Sequence, residues 1–298
     1  GKYYTISDVV FLLGPRINAA GRIDHAKHAV ELLINTEHEA ATEKSELINI
    51  HNIERKGHDL QITEEALGMI DADDELIARK STVVFNEQWN KGVIGIVASR
   101  LTEKYYRPTI VLTRSNGHVA GSARSVAGFD LYEALCGCSD LLIQFGGHRY
   151  AAGLTMHPEN LPAFINRFEE VVSATIKPEQ LIQQIQIDAE LRLSQVDAKF
   201  FRILNQFSPF GPENMAPVFL SKNVYVCGVA NIVGQNHVKM TVMQEGSAMF
   251  DCIAFSHGEY VPKMANGAQF DMCYTIEENV WKERRTIQLN VKGIRFSD

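Results

Sequence analysis

Three short stretches of this 298-residue chain combine glycine with side chains able to hold an oxyanion. Gly14-Pro-Arg16-Ile-Asn-Ala-Ala-Gly21-Arg22 reads as a loop that sets two guanidiniums six residues apart among small residues. Small side chains let a backbone approach a ligand, and two planar forks can grip phosphate oxygens. A helix-to-helix turn whose arginines pair with nearby carboxylates explains the same residues. Gly121-Ser122-Ala-Arg124-Ser125 follows a strand pattern and puts a hydroxyl and an arginine beside glycine. It suits a phosphate, or equally a solvated β-turn. In Phe145-Gly146-Gly147-His148 the paired glycines expose backbone N–H groups, and His148 can donate a hydrogen bond or take up charge. A lone histidine is more often structural, so this stretch also has two readings.

Near the C-terminus, Lys239, Lys282, Arg284 and Arg285 lie in or beside predicted strands, interleaved with Phe255, Tyr274 and Trp281. Alternating cations and aromatics suit a groove that tracks a phosphate backbone while bases stack. The competing account is an ordinary barrel with Trp281 in its core. Metal chemistry finds less support. Asp71-Ala-Asp73-Asp74 has no histidine partner nearby, and Asp24-His25 with His28 lacks a further placed carboxylate. No residue is therefore assigned as a metal ligand or as catalytic. Cys136-Gly-Cys138 lacks a second pair and reads as packing.

The elements that must position these residues follow from periodicity. Residues 1–36 read as the end of a larger domain, with helical spacing from Ala26 to Ile34. Thr36 is placed as an N-cap, with Glu39 completing a capping box. Residues 37–75 form an acidic connecting helix, with a break expected near Gly57. Residues 76–180 alternate strands and helices, giving an α/β domain. Strands are placed at 81–85, 109–113 and 119–126, and helices at 92–106, 131–142 and 161–174. Residues 181–298 are mostly β: a short helix at 194–207 and five Val/Ile/Phe-rich runs with glycine turns fit a small barrel. The fold class is thus α/β plus all-β, joined by a helical connector.

Composition bounds the function. The chain is 45% hydrophobic and 22% charged, ordinary for a globular protein. No apolar run reaches the length of a membrane span. Five scattered cysteines exclude a disulfide scaffold and point to a reducing cytoplasm. The formal charge is -7, but residues 37–75 hold twelve Asp/Glu against three Lys/Arg. Subtracting that local -9 leaves +2 elsewhere, so net charge does not exclude a nucleic-acid partner.

In order along the chain, the three stretches resemble the RecJ family of bacterial single-strand exonucleases, a branch of the DHH phosphoesterases. Lys91-Gly-Val-Ile-Gly-Ile-Val-Ala-Ser-Arg-Leu101, Ser208-Pro-Phe-Gly211, Phe250-Asp-Cys-Ile-Ala-Phe255 and Glu278-Asn-Val-Trp281 carry the same resemblance. It implies a DHH-associated α/β domain followed by an OB-fold barrel. It also implies metal-dependent 5′→3′ hydrolysis of single-stranded DNA in recombination and repair. The Mn2+ or Mg2+ pair would be held by upstream Asp and His motifs, and no Asp-His-His occurs here. Within that picture Arg16, Arg22, Ser122, Arg124, Gly146, Gly147 and His148 hold substrate phosphates. Lys239, Trp281, Lys282, Arg284 and Arg285 line the strand groove of the barrel. Single-stranded DNA is the expected partner, with other repair proteins as further candidates. Segments 14–22, 121–125 and 280–285 are expected to form one path for it. These residues alone are expected to bind the strand without cutting it, and without binding a metal. Two departures stand out: Asn90 follows Trp89 where the family has histidine, and Glu213 replaces a glycine in the Pro209-Phe-Gly-Pro-Glu213-Asn214 turn. The rivals are a non-catalytic DNA-binding paralogue and a nanoRNase or cyclic-dinucleotide phosphodiesterase, which has less use for an extended strand groove.

Overall fold

The computed structural model describes residues 6–211, 213–234, 236–281 and 284–296, apart from the side chains of Ser7, Ala265, Asn266 and Trp281. The chain divides at Gln183/Gln184 into two compact units.

In the first unit, helical turns from Ile6 lead into helix α1 (Gly14–Ile23), where the sequence suggests a loop. Pro15 sits in its first turn, where a missing N–H costs nothing. Ala19 and Ala20 are fully buried, and their small side chains let α1 pack closely on its neighbours. Packing of this kind outweighs the two glycines at 14 and 21. Helix α2 (Lys27–Ile34) follows, then α3 (His38–Asp71), 34 residues without interruption. That is about 51 Å of helix at 1.5 Å per residue. Glu37, not Thr36, occupies the N-cap of α3, and no side chain caps it. Gly57 does not break the helix; a side chain at that position would meet open space. The buried face of α3 packs on α1 through its first half and on a later helix through its second.

The sheet of this unit has strands β1 (Thr82–Phe85), β2 (Thr109–Ser115), β3 (His118–Arg124), β4 (Gln144–His148) and β5 (Ala151–Met156), in the order β1-β2-β3-β5-β4. β1 and β2 are parallel, and the other pairs are antiparallel. The short helix α4 (Asp74–Ala78) precedes β1, and α5 (Ile94–Tyr105) links β1 to β2. Val84 and Val111 face α5 and α3; Val83, Ile110 and Leu112 face α6 (Leu131–Cys136) and α7 (Leu161–Thr175). The last strands, β4 and β5, escape the sequence reading because Gly146, Gly147 and Gly153 carry no strand propensity of their own.

The second unit has β6 (Ala189–Glu190), helix α8 (Ala198–Leu204), β7 (Phe219–Val226), β8 (Asn231–Val233), β9 (His237–Met243), β10 (Phe250–Ala254), β11 (Phe270–Trp281) and β12 (Arg284–Phe296). Their order is β6-β7-β11-β12-β10-β9-β8, and β7 also pairs with β9 through Tyr225 and Val226. That second pairing joins the two flanks of the sheet, and β10 runs parallel to β12. This is an OB fold. Tyr274, expected among the groove aromatics, lies in the barrel core, fully buried, with its hydroxyl 2.8 Å from Ser221 Oγ. Burial pushes its phenol up to about 12. Glu213 holds a left-handed φ of 67°, a conformation that favours glycine. Asn214 Nδ2 fastens the same turn by donating to the carbonyls of Phe207 and Pro209.

One carboxylate ties β1 to α7. Glu169 accepts from the backbone N–H groups of Lys80 and Ser81 and from the Ser81 and Ser173 hydroxyls. Burial alone would raise its pKa, but these four donors hold it below the ordinary value. Its contribution to stability is therefore complete above the ordinary glutamate range and lost as pH falls through the depressed value. Glu169→Gln should destabilise the first unit by about 1–3 kcal/mol near neutral pH. Thermal melting should show the gap between variant and parent closing as the solution is acidified below that range.

Candidate anion-binding site

Side chains of β3 alternate between the two faces of the sheet. Ala123 enters the core under α6 and α7, so Ser122 and Arg124 point to the face that carries α5. Gly95, in the first turn of α5, lies over both. A Cβ there would come 3.0 Å from Ser122 Oγ and 3.2 Å from Arg124 Nη2. Arg124 is half-buried. Its Nε donates to Ser99 Oγ at 3.1 Å, and its Nη1 donates to Ser122 Oγ at 3.1 Å and to the Ala123 carbonyl at 2.8 Å. Among the described residues Nη2 has no acceptor and no carboxylate pairs with the guanidinium. Burial lowers its pKa from the ordinary arginine value, and the charge of Arg22 lowers it further.

Arg22 reaches this place from the end of α1. Its Nη1 donates to the Gly92 carbonyl at 3.0 Å. The two backbones nearly touch, since a Cβ on Gly92 would fall 2.1 Å from the Arg22 carbonyl oxygen. Asn90 shapes the approach: its Oδ1 accepts from Gly92 N–H at 2.8 Å, and its carbonyl accepts from Val93 and Ile94 N–H groups. The residue standing in place of histidine thus builds the turn into α5. The positive end of that helix dipole adds to the two guanidiniums.

Arg16 is not brought to this cluster. Six residues along a helix turn it about 120° from Arg22. Its Nε donates to Asn49 Oδ1 on α3 at 2.7 Å, and its Nη1 to the Leu12 carbonyl.

Cross-strand register carries the face outward. Ser122 pairs with Gly153, which pairs with Gly146; Arg124 pairs with Ala151, which pairs with His148. At about 4.8 Å per strand, His148 stands roughly 10 Å from Arg124, across a floor of glycine and alanine. Gly146 and His148 belong to the edge strand β4. His148 Nδ1 accepts from Tyr150 N–H at 3.3 Å, which leaves Nε2 for a ligand. Gly147 pairs with Ala152, and its φ of 153° and a Cβ position 2.3 Å from the Ala151 carbonyl oxygen admit only glycine. Sequence reasoning assigned no role to Gly92, Gly95 or Ser99. The signal was the small pair Gly95 and Ser99 at i, i+4 on an amphipathic helix.

In the barrel, Lys239, Asp251, Ile253, Asn279, Arg284 and Gln288 line a groove of about 470 Å3 across β9, β10, β11 and β12. Arg285 instead pairs with Glu278, Nη1 to Oε2 at 3.0 Å. Lys282 and the Trp281 side chain lie outside the described residues. Among the described residues no three His, Cys, Asp or Glu side chains gather as a metal site. Asp24 pairs with His28 at 3.0 Å, while His25 Nδ1 accepts from Lys27 N–H.

Comparison with known proteins matches both units. The DHHA1 domain family matches residues 79–174, and the RecJ OB domain family matches residues 187–293. The single-stranded-DNA-specific exonuclease RecJ of Bacillus subtilis is 36% identical over 293 residues, covering 97% of this chain and 37% of that protein. RecJ of Thermus thermophilus is 32% identical over 213 residues, 72% of this chain and 30% of that protein. The crystal structure of RecJ in complex with Mn2+ from Thermus thermophilus superposes with a TM-score of 0.82 at 26% identity, over 98% of this chain and 42% of that one. This chain spans between about a third and a half of the length of the curated relatives it matches.

Gly95→Ala tests the geometry of the cluster. The added methyl displaces Ser122 Oγ and the Arg124 guanidinium, while alanine favours the helix by at most about 1 kcal/mol. We expect unchanged or higher melting temperature together with weakened binding of inorganic phosphate, measured by calorimetric titration. Binding as tight as that of the parent would mean that the guanidinium position does not matter.

Proposed function

This chain belongs to the RecJ family, and from that premise we propose that it forms the strand-gripping part of a single-stranded-DNA-specific 5′→3′ exonuclease of recombination and repair. The observation that carries the reading is the half-buried Arg124 close enough to Arg22 to feel its charge, with no carboxylate among the described residues paired to either. A DNA phosphate between them would accept from the open Nη2 and from Arg22, and so relieve both the burial and the repulsion. Ser122 orients the Arg124 fork. His148 is suited to hold a second phosphate from across the small-residue floor. These groups bind, orient and neutralise the strand so that its end is presented in one register.

In the second unit, Lys239 and Arg284 would follow the backbone of the strand, with Trp281 and Lys282, close to Arg284 in sequence, as further contacts. Arg285, tied to Glu278, contributes less than its charge suggests. Residues 1–36 would close the catalytic domain, 37–75 link it to the α/β domain, and the barrel extend the grip.

Mn2+ or Mg2+ would supply the activated water in the whole enzyme. The described residues do not fit such a pair, because no three ligating side chains converge. From the family resemblance we propose that upstream Asp and His motifs hold the metal, and we derive no step through it. No helix among the described residues is long and apolar enough to cross a membrane. Cytoplasmic DNA, with other repair proteins on it, is the setting we propose. The barrel groove favours this reading over a phosphodiesterase for dinucleotides, which has less use for a long strand path.

A salt titration tests the grip. With about four phosphates neutralised, log affinity for single-stranded DNA should fall with log salt at a slope near -3, and Arg124→Ala should make it shallower by about 0.7. An unchanged slope would remove Arg124 from the phosphate path. In the presence of manganese, the purified 298-residue chain should bind a 5′-phosphorylated oligonucleotide without releasing mononucleotides. Steady release, abolished by His148→Ala, would place a catalytic centre within these residues.

A further inference from the structure

The outer face of β9 and β10 carries an aromatic pair that the phosphate-binding account leaves unused. In their antiparallel register Lys239 lies opposite Ile253 and Val238 opposite Ala254, and just past that last pair stand His237 and Phe255, the residue after β10. Val238 and Ala254 are buried in the barrel core, which places Lys239, Ile253, His237 and Phe255 on the outside. The His237 and Phe255 rings meet edge to face, with centroids 5.1 Å apart and planes at 71°. Backbone geometry holds the imidazole: Ser256 N–H donates to His237 Nδ1 at 3.1 Å, and Ser256 takes a left-handed φ of 58° to do so. Phe255 is nevertheless 52% exposed. A large ring fixed by a neighbour yet left half open presents a flat apolar surface to solvent, at the cost of the burial it could have had.

What stands beside the pair says what covers it. Two residues along each strand, on the same face, Lys239 and Ile253 begin the groove that ends at Arg284. Among the described residues Lys239 makes no ion pair. Asp251, the carboxylate of the groove, lies two pairs further along, opposite Thr241, whose hydroxyl donates to it at 3.1 Å. A cation and a flat ring in neighbouring cross-strand positions match a nucleotide, whose phosphate and base are separated by a comparable step. We propose that His237 and Phe255 form a stacking subsite for one unpaired nucleobase, with Lys239 holding the adjoining phosphate. The subsite rests on the reading of the barrel as a single-strand groove, and it stacks the base by its face without selecting its identity.

The test uses the 298-residue chain and thymidine oligonucleotides, intact and with a run of abasic sugars in place of the bases. Phe255→Leu keeps an apolar side chain but removes the flat face. It should weaken binding of the intact strand by about 5- to 150-fold and leave the abasic strand unaffected, with Phe255→Trp restoring the loss. Lys239→Ala should weaken both strands and make the salt dependence shallower by about 0.7 in slope. Phe255 is exposed, so the melting temperature should not change. If Lys239→Ala has its effect and Phe255→Leu has none, the groove stands and the stacking subsite is wrong. If neither substitution has an effect, the barrel does not hold the strand on this face.

Discussion

Two like charges held close together, one of them half out of water, cost free energy unless something of opposite sign joins them. Arg124 and Arg22 are in that position, and the first unit is arranged around the cost. Arg124 is fixed by two serine hydroxyls and a carbonyl, all neutral acceptors. Arg22 is fixed by a carbonyl. A carboxylate at any of these places would settle the charges internally and leave nothing for a ligand. Neutral acceptors orient the guanidiniums without discharging them, which leaves both charges open to the anionic ligand proposed above.

The same constraint explains the small residues around the pair. Gly92 lets the end of α1 meet the start of α5, which delivers Arg22 to Arg124. Gly95 leaves room for the Arg124 fork under the first turn of α5. Gly146, Ala151 and Gly153 keep the outer strands low between the arginines and His148, which suits the phosphate path proposed above. Apart from Gly92, in the turn before α5, these groups sit on two helices and three paired strands. The site depends little on loops, and its geometry is therefore set before a ligand arrives.

Much of this was legible in the residues. Amphipathic spacing located α5, and its buried Val97, Ala98 and Leu101 hold it where the pattern put it. Alternation located β1, β2 and β3, and with them Ser122 and Arg124. The OB barrel was legible as a set of Val/Ile/Phe-rich runs. What escaped did so for physical reasons. α1 is a helix because buried Ala19 and Ala20 pack tightly, a tertiary gain that its glycines conceal in sequence. β4 and β5 are strands because β3 supplies a partner, although their glycines have no preference for that state. The pairing of Arg16 with Asn49 and the burial of Tyr274 needed three dimensions: an arginine looks alike whether it points to a ligand or to a neighbouring helix. Thr36 lost the cap to Glu37 because the helix begins one residue later than the motif implies.

On the proposed function the barrel and the α/β unit would offer a strand different things: a flat ring and a lysine in one, a place for concentrated negative charge in the other. The second is the centre of the account, and side-chain nuclear magnetic resonance observes it directly. With isotope-labelled protein, the Nε–Hε signals of Arg22 and Arg124 can be followed while a 5′-phosphorylated dinucleotide is added. The account predicts that both signals shift together along one saturating curve, and that Arg16 and Arg285, held by Asn49 and Glu278, stay where they were. Saturable binding that leaves Arg22 and Arg124 unmoved would contradict it.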